Sequence, residues 1–268
     1  APRPRSLTWR RGLPGRLGQL VAAGAAALIV AGVVFLRLHA GGAGLQGAGQ
    51  TGIPTGTKFC TASAKHLTSR QARRVSYIMV HRVKAATGRR VPVQGMGAGC
   101  VHVGGKTLHG ATVRMLGAVG SVTIDGHGGG SLAPGTVVEG NPPCVVLAAH
   151  RHHLSRANCR VRLETVVTDG EFKKGSARPV GTGRGENRLL TFGLTHTGSV
   201  AWCRYTSRHV HRGAAFVLDG RVISDPTIVG AICSGGGVFP VGSRVQARMI
   251  AAYLNYGPLP VRFVPTRL

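Results

Sequence analysis

From Leu20 to Leu36 the chain reads LVAAGAAALIVAGVVFL, seventeen residues without a charge, and ahead of it stand Arg3, Arg5, Arg10, Arg11 and Arg16 with no acidic residue among them. As a helix rising ~1.5 Å per residue, such a run covers roughly 25 Å of the ~30 Å hydrocarbon core of a bilayer. Gly18 and Gln19 can lengthen it toward the interface. The arginines predict an N-terminus held in the cytoplasm, with everything beyond about residue 40 exported. The competing reading is a cleaved signal peptide, for which Ala40-Gly41-Gly42 supplies small residues. The run is longer than the usual h-region of about 7–15 residues, which favours an anchor.

The compartment decides how the cysteines are read. Cys60, Cys100, Cys144, Cys159, Cys203 and Cys233 all follow the run, and an even number on an oxidising side predicts disulfides. No C-x-x-C pair occurs, which argues against a thioredoxin-like redox site and a zinc ribbon. The densest polar cluster is Cys144…His150-Arg151-His152-His153…Cys159, which holds both ligand types zinc accepts. Metal sites prefer tighter cysteine spacing, so a Cys144–Cys159 staple is favoured over zinc.

Residues 37–56, largely Gly-rich, read as a flexible linker, and the folded part begins near Thr57. With 43% hydrophobic residues the whole chain has material for a core. Lys58 to Ser63 predicts a strand. Thr68-Ser69-Arg70-Gln71 matches a capping box ahead of Val75, Ile78, Met79 and Val83 at helical spacing, with Gly88 as the stop. Strands follow at Val91–Gln94 and Cys100–Val103, a helix at Leu108–Leu116, and a strand at Ser121–Ile124. The order βαββαβ predicts an α+β, ferredoxin-like base with a four-stranded antiparallel sheet. Residues 126–160 read as a long connection. Beyond it, Arg162–Thr168 and Arg188–Gly193 are strand candidates and Ser199 to His209 is a helix. Ala214–Leu218 and Arg221–Ser224 form a hairpin turned by Asp219-Gly220, two residues that tolerate φ > 0. A last helix starts at Ser243-Arg244-Val245-Gln246, a second capping box, and stops at Gly257-Pro258.

Few catalytic chemistries fit. Gly104-Gly105-Lys106-Thr107 would need Gly at position 100 to be a P-loop, where Cys100 stands. No H-E-x-x-H, G-x-S-x-G or S-x-x-K occurs, eight carboxylates leave few candidates for a paired-acid site, and the turn explains Asp219. No enzymatic activity, metal or cofactor is expected. Charge is the salient property: after Arg37 come 28 basic residues against all eight acidic ones. The strand Cys100–Val103 lacks the aromatics that stack bases, and the exported side offers no RNA, so nucleic acid is not an expected partner. Anionic lipid, acidic wall polymer and acidic stretches of exported polypeptide are. Adaptation to a high-Arg composition or acidic surroundings yields the same charge without a ligand.

Ala215-Phe216-Val217-Leu218-Asp219-Gly220-Arg221-Val222-Ile223-Ser224-Asp225-Pro226 resembles the A-I-V-L-D-G-x-V-x-S-A-P segment of the SecD family of protein-export membrane proteins, in the head subdomain of their first periplasmic (P1) domain. The Gly235–Gly237 run and the helix closed by Tyr253-Leu254-Asn255-Tyr256-Gly257-Pro258-Leu259-Pro260 are similar to that family's G-G stretch and L-x-x-G-x-L-P ending. IMVHRVKAATGRRVPVQ (78–94) is similar to its I-I-x-R-R-V-x-x-x-G-x-x-x-P-x-V-Q, and Leu132–Thr136 to a loop of its base subdomain. Behind the cytoplasmic tail (1–19), membrane helix (20–36) and linker read from charge and composition, the resemblance, which spans roughly residues 57–262, implies a P1 base (57–139), an inserted loop (140–159) and a smaller α+β P1 head (160–268). It singles out Leu218, Asp219, Gly220, Ser224, Pro226, Gly235 and Gly236 as the head motif. Asp225 departs from the family's Ala.

Six cysteines allow 15 connectivities. Neighbouring first and third strands would bring Cys60 to Cys100, Cys144 and Cys159 close a short loop, and the family likeness puts Cys203 and Cys233 in one subdomain. The family couples proton flow to pulling through an intramembrane carboxylate, and the run 20–36 contains none. The resemblance therefore implies only the binding module, in a single-span form without the transporter helices. Its expected role is transient, non-enzymatic binding of exported or translocating polypeptide, beside a translocase. The alternative is a basic envelope structural protein that holds anionic lipid or acidic wall polymer.

Overall fold

The computed structural model describes residues 56–63, 66–146, 159–181 and 188–266. The expected membrane run, most of the linker and the His150–His153 cluster lie outside the described residues. Among the described residues no helix is long and apolar enough to cross a membrane.

The best-marked element forms as its sequence requires. In α1 (Ser69–Thr87) the Gln71 amide donates to Thr68 Oγ1 at 3.2 Å, and the Thr68 amide donates back to Gln71 Oε1 at 2.9 Å. Gly88, at φ 76°, ends the helix in the left-handed conformation that residues with a Cβ avoid. Its buried stripe is Val75, Ile78, Met79, Arg82, Val83 and Ala86. Together with β1 (Gly56–Thr61), β2 (Val93–Gly95), β3 (Cys100–Gly104) and α2 (Gly110–Gly117), α1 completes a βαββα run.

The fourth strand of that sheet is a correction. Its order is β14-β1-β3-β2, and β14 is Phe263–Thr266, antiparallel to β1 with Lys58 opposite Thr266. The expected strand at Ser121–Ile124 forms as β4 (Val122–His127) but leaves for another sheet, so a four-stranded base closed within 57–139 does not form. That second sheet has the order β7-β6-β5-β12-β11-β4-β8. It takes β5 (Val137–Glu139), β6 (Cys144–Val146), β7 (Cys159–Arg162) and β8 (Glu164–Val167), with β11 (Gly213–Leu218) and β12 (Arg221–Ser224). The stretch read as a connection over 126–160 thus contributes three short strands, and strands from both sides of the expected boundary share one sheet.

β11 explains the arrangement. Ala214 and Phe216 enter the main core, whereas Ala215 and Val217 enter a second cluster with Leu132, Val138, Val145, Leu163 and Val222. Buried on both faces, it reads as an unbroken apolar run, as a central strand should. A third sheet, β13-β10-β9, consists of β9 (Arg178–Gly181), β10 (Arg188–Gly193) and β13 (Gly236–Val241). The last two helices are α3 (His196–Arg208) and α4 (Arg244–Tyr256). The box at α4 is only half made: the Gln246 amide donates to Ser243 Oγ, but the Gln246 side chain accepts from the Gly242 amide at 3.0 Å.

Disulfides join three pairs. Cys60 and Cys100 face each other across β1 and β3 with Cα atoms 4.0 Å apart. Cys144–Cys159 links β6 to β7 (5.6 Å), and Cys203–Cys233 ties α3 to the segment before β13 (4.5 Å). Bound to each other, Cys144 and Cys159 have no thiolates to offer a metal.

Candidate functional site

The hairpin motif is held in place by its turn. Asp219 (φ 47°) and Gly220 (φ 75°) both take positive φ, the geometry that a two-residue hairpin of matching twist requires. The Asp219 carboxylate accepts from the Gly120 and Ser121 amides at 3.0 and 2.9 Å, clamping the turn to the start of β4. A Cβ on Gly220 would stand 2.9 Å from the Val138 carbonyl oxygen, so the close approach of the chains excludes a side chain. Leu218 is half-buried and Ser224 buried. These residues build the sheet, and the surface lies just beyond them.

Asp225, the departure from the family pattern, is paired. His127 Nε2 lies 2.8 Å from Asp225 Oδ1, both side chains are buried, and Asp225 Oδ2 accepts from the Leu132 amide at 2.6 Å. Sequence reasoning missed this pair, because the two residues are 98 positions apart and nothing local links them.

After Pro226 the chain leaves the sheet and arches over α3. The Ile228 amide donates to Arg212 O at 2.9 Å, the Ile232 amide donates to Thr206 Oγ1 at 2.9 Å, and Cys233 is bonded to Cys203. Beneath this strap lies a cavity of about 270 Å³ whose walls include Phe192, Trp202, Phe216, Pro226, Ile228 and Gly236. Val229 (85% exposed) and Val238 (53% exposed) stand at its mouth. No charged residue lines it, in a chain whose net charge is +26.

The glycine run belongs to this wall. Gly235 takes φ 81°, and its carbonyl accepts from the Leu194 amide at 2.7 Å. A Cβ on Gly237 would meet the Phe192 ring at 3.0 Å, and that ring packs edge-on against Phe172 and Phe216. β13 is an edge strand of its sheet. Since Leu194 and Gly235 form a hydrogen-bonded pair, the alternation of the ladder turns the backbone groups of Gly236 and Val238 away from β10. Pro226 and Gly236 of the expected motif therefore line this pocket and Gly235 stands next to its wall, while Leu218, Asp219, Gly220 and Ser224 belong to the neighbouring sheet. The sequence reading assigned no strand to the glycine run and so missed β13 and its open edge.

The surrounding electrostatics are set by burial. Asp125, on β4, is 2% exposed and its carboxyl is pushed above the usual carboxylate range by desolvation, partly offset by hydrogen bonds from Thr165 and Thr123. Tyr205, on α3, has its phenol pushed up by burial and then by the charge of Glu164. Among the described residues no group of three or more His, Cys, Asp or Glu side chains gathers to hold a metal.

Residues 146–261 match the family model "SecDF, P1 head subdomain". Protein translocase subunit SecD of Mycobacterium tuberculosis, in strains CDC 1551 / Oshkosh and ATCC 25618 / H37Rv, is 39% identical over 69 residues, 24% of this chain and 12% of the relative. The match thus spans about an eighth of the relatives' length. A solved structure described as that of a membrane component SecDF that enhances protein export superposes with a TM-score of 0.51 at 18% identity, covering 79% of this chain and 98% of that one. A SecDF crystal structure in a super-membrane-facing form gives 0.54 at 21% identity, covering 79% and 30%. The chain shares its fold with the SecDF P1 domain, and the segment that forms the strap and pocket matches the P1 head subdomain of the SecD family.

Proposed function

We propose that this chain is a membrane-anchored, extracytoplasmic and non-enzymatic module that transiently binds exported or translocating polypeptide as an accessory of protein export. The carrying observation is the uncharged pocket under the 226–233 strap, with two exposed valines at its mouth and an open strand edge alongside. An extended apolar segment has hydrogen-bonding needs and side chains that such a place can meet together. The likeness to SecDF structures, one of them described as enhancing protein export, supports the same reading.

The test is binding of a fluorescent, extended peptide with alternating Val and Ser to the chain and to Val229→Lys/Val238→Lys. Both valines are exposed, so the variant keeps the fold. Binding should weaken at least tenfold in the variant and persist as the Debye length falls from ~10 Å at 0.1 M to ~3 Å at 1 M salt. Binding that ignores the variant, or vanishes with salt, would favour adhesion of anionic lipid or wall polymer by charge.

A further inference from the structure

A second hollow, of about 420 Å³, lies between α1, α4 and β9 and shares no lining residue with the apolar pocket. Ala85, Ala251 and Ala252 contribute small apolar surface to it. Lys84 and Arg248 supply its cationic groups, His81 adds an imidazole, and no carboxylate lines it. The amide of Asn255 is already committed, accepting from the Ala177 N–H and donating to the Ala177 carbonyl at 2.9 Å each.

The cations differ from two others nearby. Arg82 donates to four carbonyls, and Lys174 donates to the Leu254 carbonyl at 3.1 Å. The side chains of Lys84 and Arg248 have no hydrogen-bond or ion-pair partner among the described residues, and Arg248 Nε is buried without an acceptor. Two cationic side chains with no counter-charge beside an open hollow raise the positive potential there and favour an anion in it. One wall is aromatic: His81 stacks on Tyr256 with centroids 3.8 Å apart, and Tyr77 packs edge-on to both. Burial, and then the charges of Lys84 and Arg90, hold the His81 imidazole below its usual pKa.

We propose that this hollow is a binding site for a phosphate group carrying a short apolar body, with the phosphate on Lys84 and Arg248 and the body on the alanines beside the His81–Tyr256 stack. Two permanent cations with no acid beside them suit a group that presents several anionic oxygens, and a guanidinium fork matches phosphate oxygens. The phosphate can come from a lipid headgroup or from a soluble ester.

Titration calorimetry of the full chain with inorganic phosphate, hexyl phosphate and a short-chain phosphatidylglycerol tests this. Hexyl phosphate should bind more tightly than inorganic phosphate, and Lys84→Ala/Arg248→Ala should weaken it at least tenfold. Arg160→Ala/Arg262→Ala, which removes the same charge from exposed positions elsewhere, should leave it within twofold. Tighter binding of the phosphatidylglycerol than of hexyl phosphate supports the site with a lipid source, and the reverse supports it with a soluble one. Equal weakening in both double variants would reduce the effect to diffuse charge and overturn the proposal, as would no saturable binding. Lys84 is exposed, so the single variant Lys84→Ala, expected to weaken binding at least threefold, guards against a folding defect in the pair.

Discussion

Replacing Arg82 by Met should destabilise the fold by about 2–4 kcal/mol. The guanidinium is fully buried and donates through Nη1 to Leu116 O (3.3 Å) and Ala118 O (2.5 Å), and through Nη2 to Val119 O (2.7 Å) and Gly257 O (3.4 Å). It also lies 4.4 Å from the centre of the Tyr253 ring. Burial draws its pKa down to about 10, so it stays charged at neutral pH. The two short bonds, at about 1.5–3 kcal/mol each for a charged donor, and a desolvated cation–π contact of about 1–2 kcal/mol sum to roughly 4–8 kcal/mol. Met keeps the volume and removes a buried charge whose desolvation costs several kcal/mol, which leaves the net figure. Arg82→Lys keeps the charge but not the fork and should fall between Met and wild type. Urea unfolding followed by circular dichroism, with the disulfides intact, measures all three. A Met variant at least as stable as wild type would refute the reasoning, because desolvation would then outweigh every contact the guanidinium makes.

Asp219→Ala should cost about 2–3 kcal/mol, since two backbone amides lose a charged acceptor and φ 47° passes to a residue that resists it; Asp219→Asn should cost roughly half, by the same denaturant assay. Asp125 carries a raised pKa, so the native state holds its proton more tightly than the unfolded chain does. Its contribution is fullest below the unfolded value near 3.8 and is lost as pH rises through the folded one. Asp125→Asn should therefore gain stability over wild type at pH 7 and lose that advantage toward pH 3, as paired thermal melts will show. Cys203→Ser/Cys233→Ser opens a 30-residue loop and should lower stability by about 3–4 kcal/mol on the chain-entropy account; a loss below 1 kcal/mol would mean that hydrogen bonds such as Ile232 to Thr206 hold the strap unaided.

What could be read from the sequence follows the range of the interactions involved. Thr68 and Gln71 are three residues apart and mark their own helix, and Asp219-Gly220 dictates a hairpin whatever surrounds it. Cys60 and Cys100 follow from strand adjacency. β14 could not be assigned, because its four residues carry no signal that they pair with β1 rather than trail away. β13 begins with two glycines and contains Pro240, which disguise a strand tolerable only at an edge. The pocket was half legible: the motif identified Pro226 and the glycines, whereas Phe192 and Trp202 come from elements whose approach only the tertiary fold decides. His127 and Asp225 are remote in sequence and meet through the pairing of Gly213 with His127.

The closure of β1 by β14 imposes an order on how the molecule comes into being. Cys60 and Thr266 are neighbours separated by 206 positions. As the polypeptide emerges from its N-terminal side, β1 can find β3 early, but its other edge stays open until nearly all the remaining described residues have appeared. The elements from β4 to α4 are thus an excursion that must be completed before the first sheet can be sealed. Such non-local closure slows folding and leaves a nascent edge that invites wrong partners for as long as it lasts. The Cys60–Cys100 bond, formed between strands already adjacent, would hold β1 in register through that interval.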